Sequence, residues 1–142
     1  YVILQEFVDE AELGDIRVLM LNGKPIGAMK RVPDANDVRS NVSAGGSVVK
    51  HCLTKSEIAL CEHVGPKLVR DGLYFVGLDL INGKLIEVNV LSPGGISRIN
   101  RLNRVKLQRH VLDFIENVID AKEKVICRKN EFRKAVEDVV AC

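Results

Sequence analysis

Three oxygen-bearing side chains, Asp79, Glu87 and Asn89, interrupt two otherwise apolar runs, Leu78-Asp79-Leu80-Ile81 and Leu85-Ile86-Glu87-Val88-Asn89, joined through Asn82-Gly83-Lys84. A carboxylate buried without a partner is so costly that it shifts its pKa or finds a cation. Three such groups together call for a hard metal ion or a strong hydrogen-bond network.

The alternation in these runs fixes the geometry that such a site requires. Val76, Leu78 and Leu80 share one side of the strand over residues 73–81, and Ile86, Val88 and Val90 share one side of the strand over 84–91. Both sets are expected to face a core. Placing them on the same face calls for pairing such as Leu78 opposite Ile86, through a three-residue turn with a left-handed glycine near Asn82-Gly83. That register gathers Asp79, Glu87 and Asn89 on the opposite face, whereas a strict two-residue turn would split them, because a one-residue slip reverses a strand's side chains. All-oxygen ligation favours magnesium, with manganese as a substitute, and a site this sparse expects substrate phosphates to complete it. The alternative is an ordinary half-exposed sheet face.

The rest of the chain supports one domain over residues 1–142, with a motif-bearing sheet region at 1–95 and a helical region at 96–142. A chain of 142 residues, 46% hydrophobic and 28% charged, can bury a core of its own. Strands are expected at Tyr1–Val8, Asp15–Leu21, Lys24–Val32 and Ser47–Leu53, the middle pair closed by Asn22-Gly23. Thr54-Lys55-Ser56-Glu57 is a capping box that opens an amphipathic helix ending near Gly72, with Pro66 as a candidate kink. Further helices are expected over 104–119 and 129–140. Two hairpins followed by helices argue for an α+β fold, an antiparallel sheet with helices packed on one face.

Composition excludes several function classes. Lys and Arg exceed Asp and Glu by 21 to 19, so net charge makes no case for a nucleic-acid or membrane partner. The stretch Arg98, Arg101, Arg104, Lys106, Arg109 and His110 has no interleaved aromatics and reads as a solvated helix face. No apolar run reaches the roughly 20 residues of a membrane span. Four cysteines without a Cys-x-x-Cys pair suggest reduced thiols in a cytoplasmic protein rather than zinc ligands. The histidines lack ligand spacing, and Cys61 falls on an apolar helix face. The chain opens on Tyr1 within an apolar segment, as expected of a piece of a longer protein.

Two further features could contact anions. Arg17 and Arg31 lie on paired strands and can share a face, where forked guanidinium groups suit phosphate or acyl-phosphate oxygens, or serve only as solubilising charge. The loop Arg39-Ser40-Asn41-Val42-Ser43-Ala44-Gly45-Gly46 offers a cation, polar groups and flexible backbone, though it lacks the Gly-Lys-Ser/Thr of a Walker A loop. Ser92-Pro93-Gly94-Gly95 could aim backbone amides at a carboxylate or be a plain turn.

Taken in order, Gln5-Glu6-Phe7-Val8, Gly14-Asp15-Ile16-Arg17, Arg39-Ser40-Asn41 with Gly45-Gly46, Val76-Gly77-Leu78-Asp79 and Glu87-Val88-Asn89 with Ser92-Pro93 resemble the C-terminal part of the ATP-grasp carboxylate–amine ligases, most closely the bacterial glutathione synthetase type. The Arg-Ser-Asn wording is also similar to ligases that add glutamate to protein tails. A non-catalytic nucleotide-binding domain is a third possibility. The resemblance implies that Glu6, Phe7 and Val8 hold adenine, that Asp15 falls on the ribose side, and that Arg17, Arg31, Arg39, Ser40 and Asn41 surround the phosphates. It implies that Asp79, Glu87 and Asn89 hold magnesium, that ATP activates a small-molecule acid for attack by an amine, and that the fragment is inactive without the N-terminal portion of the same enzyme. A homo-oligomer stays open.

Overall fold

The computed structural model describes residue 2 and residues 4–8, 12–33 and 46–140. They fall into two compact units, one ending at Leu107 and one beginning at Gln108. The first is built on a sheet of five antiparallel strands, β1 (Asp15–Leu21), β2 (Lys24–Val32), β3 (Ser47–Lys50), β4 (Phe75–Ile81) and β5 (Lys84–Asn89), in the order β3-β2-β1-β4-β5. Helix α1 (Lys55–Arg70) connects the two hairpins, and α2 (Ile96–Asn103) follows the second. The α+β expectation holds.

The helices do not lie on one face, as the sequence reading expected. Alternation along the central strands creates two apolar surfaces. Val18, Met20, Val76, Leu78 and Leu80 pack with Cys61 and Leu68 of α1. The neighbouring positions Leu19 and Met29 pack with Ile99 of α2 and with Leu107. Because β1 carries apolar side chains on both faces, Val18 and Met20 on one and Leu19 on the other, both faces call for cover, and one helix goes to each.

Both hairpins solve the register problem in the same way. Asn22 and Gly23 have φ of 49° and 76°, and Asn82 and Gly83 have φ of 47° and 72°, the all-positive pair of a two-residue turn matched to strand twist. The three-residue turn expected at Asn82-Gly83 is therefore not used. Instead the register shifts by a bulge: Asp79 faces Glu87 while Leu80 faces Leu85, so Ile86 is the extra residue, and Leu78 faces Val88 rather than Ile86. In the first hairpin Leu19 faces Gly27 while Met20 faces Pro25, which makes Ile26 the extra residue. The sequences Asn22-Gly23-Lys24-Pro25-Ile26 and Asn82-Gly83-Lys84-Leu85-Ile86 are thus one device used twice. Since Val18 pairs with Leu78, and Arg17–Asp79 is mirrored by Leu19–Gly77, the hairpins are related by a pseudo-twofold axis through the β1–β4 pair.

Other boundaries differ for local reasons. Residues 4–8 form no strand, and no described strand pairs with them. Arg104, with φ of 56°, ends α2 in a left-handed cap, so the helix expected from 104 starts later. It then runs unbroken as α3 (Leu107–Val140), because the segment 120–128 contains no helix breaker. No helix among the described residues is long and apolar enough to cross a membrane.

The start of α1 is fixed by the expected capping box. Thr54 Oγ1 accepts from the Glu57 N–H, and Glu57 Oε2 accepts from the Thr54 N–H at 2.8 Å and contacts His51 Nε2 at 2.9 Å. Burial would raise the Glu57 pKa, but the Thr54 N–H and His51 together hold it below its ordinary 4.5. A carboxylate depressed in the folded state lends stability above its unfolded pKa and loses it as pH falls through the folded value. Glu57→Gln is therefore expected to destabilise the fold by about 1 kcal/mol at neutral pH, with the gap to wild type narrowing as pH drops below 4.5. Urea titrations at pH 7 and pH 3.5 check this. Further along α1, a Cβ at Gly65 would overlap the carbonyl oxygen of Gly23 in the first hairpin turn. Gly65→Ala should thus cost about 2 kcal/mol in denaturant unfolding, although alanine favours a helix interior.

Candidate active site

The face that carries α2 has a polar end, built by residues from four strands. Arg17 on β1 and Asp79 on β4 are directly opposed in the ladder. Arg17 Nε donates to Asp79 Oδ1, its Nη2 donates to Oδ2 at 2.8 Å, and its Nη1 reaches the Gly94 carbonyl at 3.3 Å. Arg31 on β2 forks onto both Asp15 oxygens at 2.6 Å and also approaches Asp79 Oδ2 at 2.9 Å. Asn89 on β5 donates to the same Oδ2 at 3.1 Å. Two cations and two carboxylates thus close an electroneutral network, with Asp15, Arg17 and Asp79 exposed by only 7%, 7% and 3%. Burial alone would lower the Arg31 pKa, but the hydrogen bonds that Arg31 donates to Asp15 and the charges of Asp79 and Asp15 raise it, so the guanidinium stays charged.

The bulge at Ile86 brings Glu87 opposite Asp79 and Asn89 opposite Gly77, so the three oxygen-bearing residues share a face as expected. Their states differ. Asp79 is saturated by nitrogen donors, whereas Glu87 is exposed, with no hydrogen bond or ion pair to a described residue. Asn89 commits its amide nitrogen to Asp79 and keeps its carbonyl oxygen for another partner. As a donor set, Glu87 and Asn89 fit a hard cation in type, and Asp79 can join them by exchanging an arginine. No group of three or more His, Cys, Asp or Glu residues suited to a metal is found among the described residues.

Other expected site residues fall elsewhere. Glu6 and Phe7 are exposed on an irregular segment, and Val8 is half-buried. Arg39, Ser40 and Asn41 lie outside the described residues. Asp15 is engaged by Arg31 through both oxygens. The Cys61 thiol is pushed up to about 11 by burial and by the Glu57 charge, which makes it a poor nucleophile. Gly77 was missed as part of the site, and Gly94, expected within Ser92-Pro93-Gly94-Gly95 to offer a backbone amide, contributes its carbonyl instead. The first could have been found, because a glycine inside a strand often marks close approach. The carbonyl of the second leaves no trace in side-chain chemistry.

Comparison with known proteins identifies the family. A family model described as the prokaryotic glutathione synthetase ATP-grasp domain matches residues 1–104. The chain belongs to this family. Its polar face is therefore that of a glutathione synthetase ATP-grasp domain, and α3 lies beyond the matched residues. The glutathione synthetases of Gloeobacter violaceus and a Synechocystis species are each 47% identical over 115 residues, 81% of this chain and 36% of their own length. That of Bradyrhizobium diazoefficiens is 46% identical over 114 residues, again 36% of its length. The chain thus spans little more than a third of these relatives. The solved ATP-grasp ligase PsnB, complexed with minimal precursor, superposes with a TM-score of 0.42 at 17% identity, over 61% of this chain and 28% of PsnB. That likeness adds nothing to the assignment.

Removing one partner from a buried ion pair leaves the other charge uncompensated, at a cost of about 3–5 kcal/mol. Asp79→Ala, which strands both Arg17 and Arg31, is expected to fall in this range by chemical denaturation.

Proposed function

We propose that the chain is the C-terminal catalytic portion of an ATP-dependent carboxylate–amine ligase, a glutathione synthetase joining γ-glutamylcysteine to glycine through an acyl-phosphate. The observation that carries the reading is the placement of Glu87 and Asn89 beside the Arg17–Asp79–Arg31 network, on the face of a sheet whose sequence matches the family model. ATP use follows from the family. Magnesium, with manganese as a substitute, is the finer proposal, held by Glu87 and Asn89 together with Asp79. A bound divalent ion would neutralise triphosphate charge and polarise the transferred phosphoryl group.

The chain's own residues supply orientation and charge. Arg17, Arg31 and Arg39 present guanidinium groups to the phosphate and acyl-phosphate oxygens, with Ser40 and Asn41 beside them. Glu6, Phe7 and Val8 hold the adenine. Asp15 stands on the ribose side while it fixes the fork of Arg31. The paired strands hold these groups to one geometry, so that the γ-phosphoryl group meets the acid in line and the amine then attacks an activated carbonyl. No protein nucleophile is needed for either transfer. The remainder of the enzyme forms the other wall of the nucleotide cleft, and the protein works in the cytoplasm, in keeping with the free thiols of Cys52, Cys61 and Cys127.

Full-length protein tests the reading directly. With ATP and magnesium it should form glutathione from γ-glutamylcysteine and glycine; product only from glutamate addition would move the chain to the related ligases. Glu87→Gln alters an exposed side chain and should leave the thermal midpoint within experimental error. The same variant should reduce magnesium-dependent product formation by at least about 100-fold. Unchanged turnover would place the chemistry elsewhere.

A further inference from the structure

Arg17 connects three parts of the site: its own strand, Asp79 on the next strand, and the carbonyl of Gly94 in the segment leading into α2. To do so its stem crosses Gly77. A Cβ built at Gly77 would come within 3.2 Å of Arg17 Cδ, 3.3 Å of Arg17 Nη1 and 3.3 Å of Pro93 Cβ. Neither neighbour yields easily, since the guanidinium is tied at Asp79 and Gly94 and the proline ring has no alternative rotamer to adopt.

Nothing in the backbone asks for glycine here, because Gly77 is not among the residues with positive φ. Glycine also weakens a strand interior relative to alanine. What position 77 must supply is space. The pseudo-twofold axis explains why the need arises at this point: residues 17 and 77 are mates across the Val18–Leu78 pair, on the same face, so a long side chain at one leaves room for a Cβ at the other only if its neighbours shift by a few tenths of an ångström.

We infer that Gly77 is a positioning residue, which keeps open the lane in which the Arg17 guanidinium lies against Asp79 and the Gly94 carbonyl. Its effect on nucleotide binding rests on the function proposed above, whereas its effect on the seat of Arg17 does not.

The test is a double-mutant cycle in the full-length protein with Gly77→Ala, Arg17→Ala and the pair, read by thermal midpoint and by affinity for magnesium–ATP. Gly77→Ala alone should lower the midpoint and weaken the affinity roughly tenfold, a coupling typical of residues in contact. With Arg17 removed, the same substitution should cost nothing more in either readout and should raise the midpoint. Equal losses in both backgrounds would overturn the inference. Should Gly77→Ala alone fail to fold, the double variant decides against Arg17→Ala alone: folding of the pair supports the seat, and failure of the pair where Arg17→Ala alone folds assigns the collision to Pro93 and overturns it. Coupled midpoints with wild-type affinity in all three variants would uphold the seat and remove Arg17 from the nucleotide site.

Discussion

The site depends on one ion pair spanning the centre of the sheet. Arg17 and Asp79 face each other across β1 and β4, almost out of contact with water, where an unpaired charge would be prohibitive. Arg31 and Asp15 complete the charge balance from the next strand, and Asn89 fills a further lone-pair direction on Asp79. With charges neutralised inside the network, the exposed Glu87 is left as its outward-facing anion. Neighbouring carboxylates thereby differ in state: Asp79 ties the strands together, and Glu87 is exposed.

The frame that supports this difference is close to symmetric, but its side chains are not. Leu19, Gly27 and Met29 in the first hairpin are the mates of Asp79, Glu87 and Asn89 in the second. The first set accommodates α2: a Cβ at Gly27 would meet Leu107 and Ile99, and Met29 and Leu19 are buried beneath the helix. The second set is polar. Two copies of one backbone device thus carry a core at one end of a face and a polar network at the other, by the choice of three residues in each.

Much of this was legible in the sequence, because its signals were local. The strands Asp15–Leu21 and Lys24–Val32 follow from alternation and an Asn-Gly turn, and the capping box at Thr54 fixes the start of α1. The common face of Asp79, Glu87 and Asn89 was also reached, by expecting Ile86, Val88 and Val90 to face the core with Leu78 and Leu80; in the structure Val88 and Val90 are exposed and the bulge at Ile86 sets that face instead. The means was not legible: a bulge restores parity as well as a longer turn does, and alternation alone does not distinguish them. The second covered face was missed because α2 is only eight residues long and its start at Gly95 has no side-chain cap. The saturation of Asp79 by two arginines depends on pairing between strands about sixty residues apart (Arg17 and Asp79), which no local pattern reports.

The bulge at Ile86 gives the second hairpin a kind of reading frame. Upstream of it, the strand is phased by the turn; downstream, it is phased by the extra residue, and Glu87 and Asn89 owe their orientation to that single inserted unit. Loss of one aliphatic residue that bears no chemistry would rotate both polar groups to the side occupied by α1, with every functional group still present in the chain. In this hairpin, the spacing of the residues is as much a part of the site as their identity.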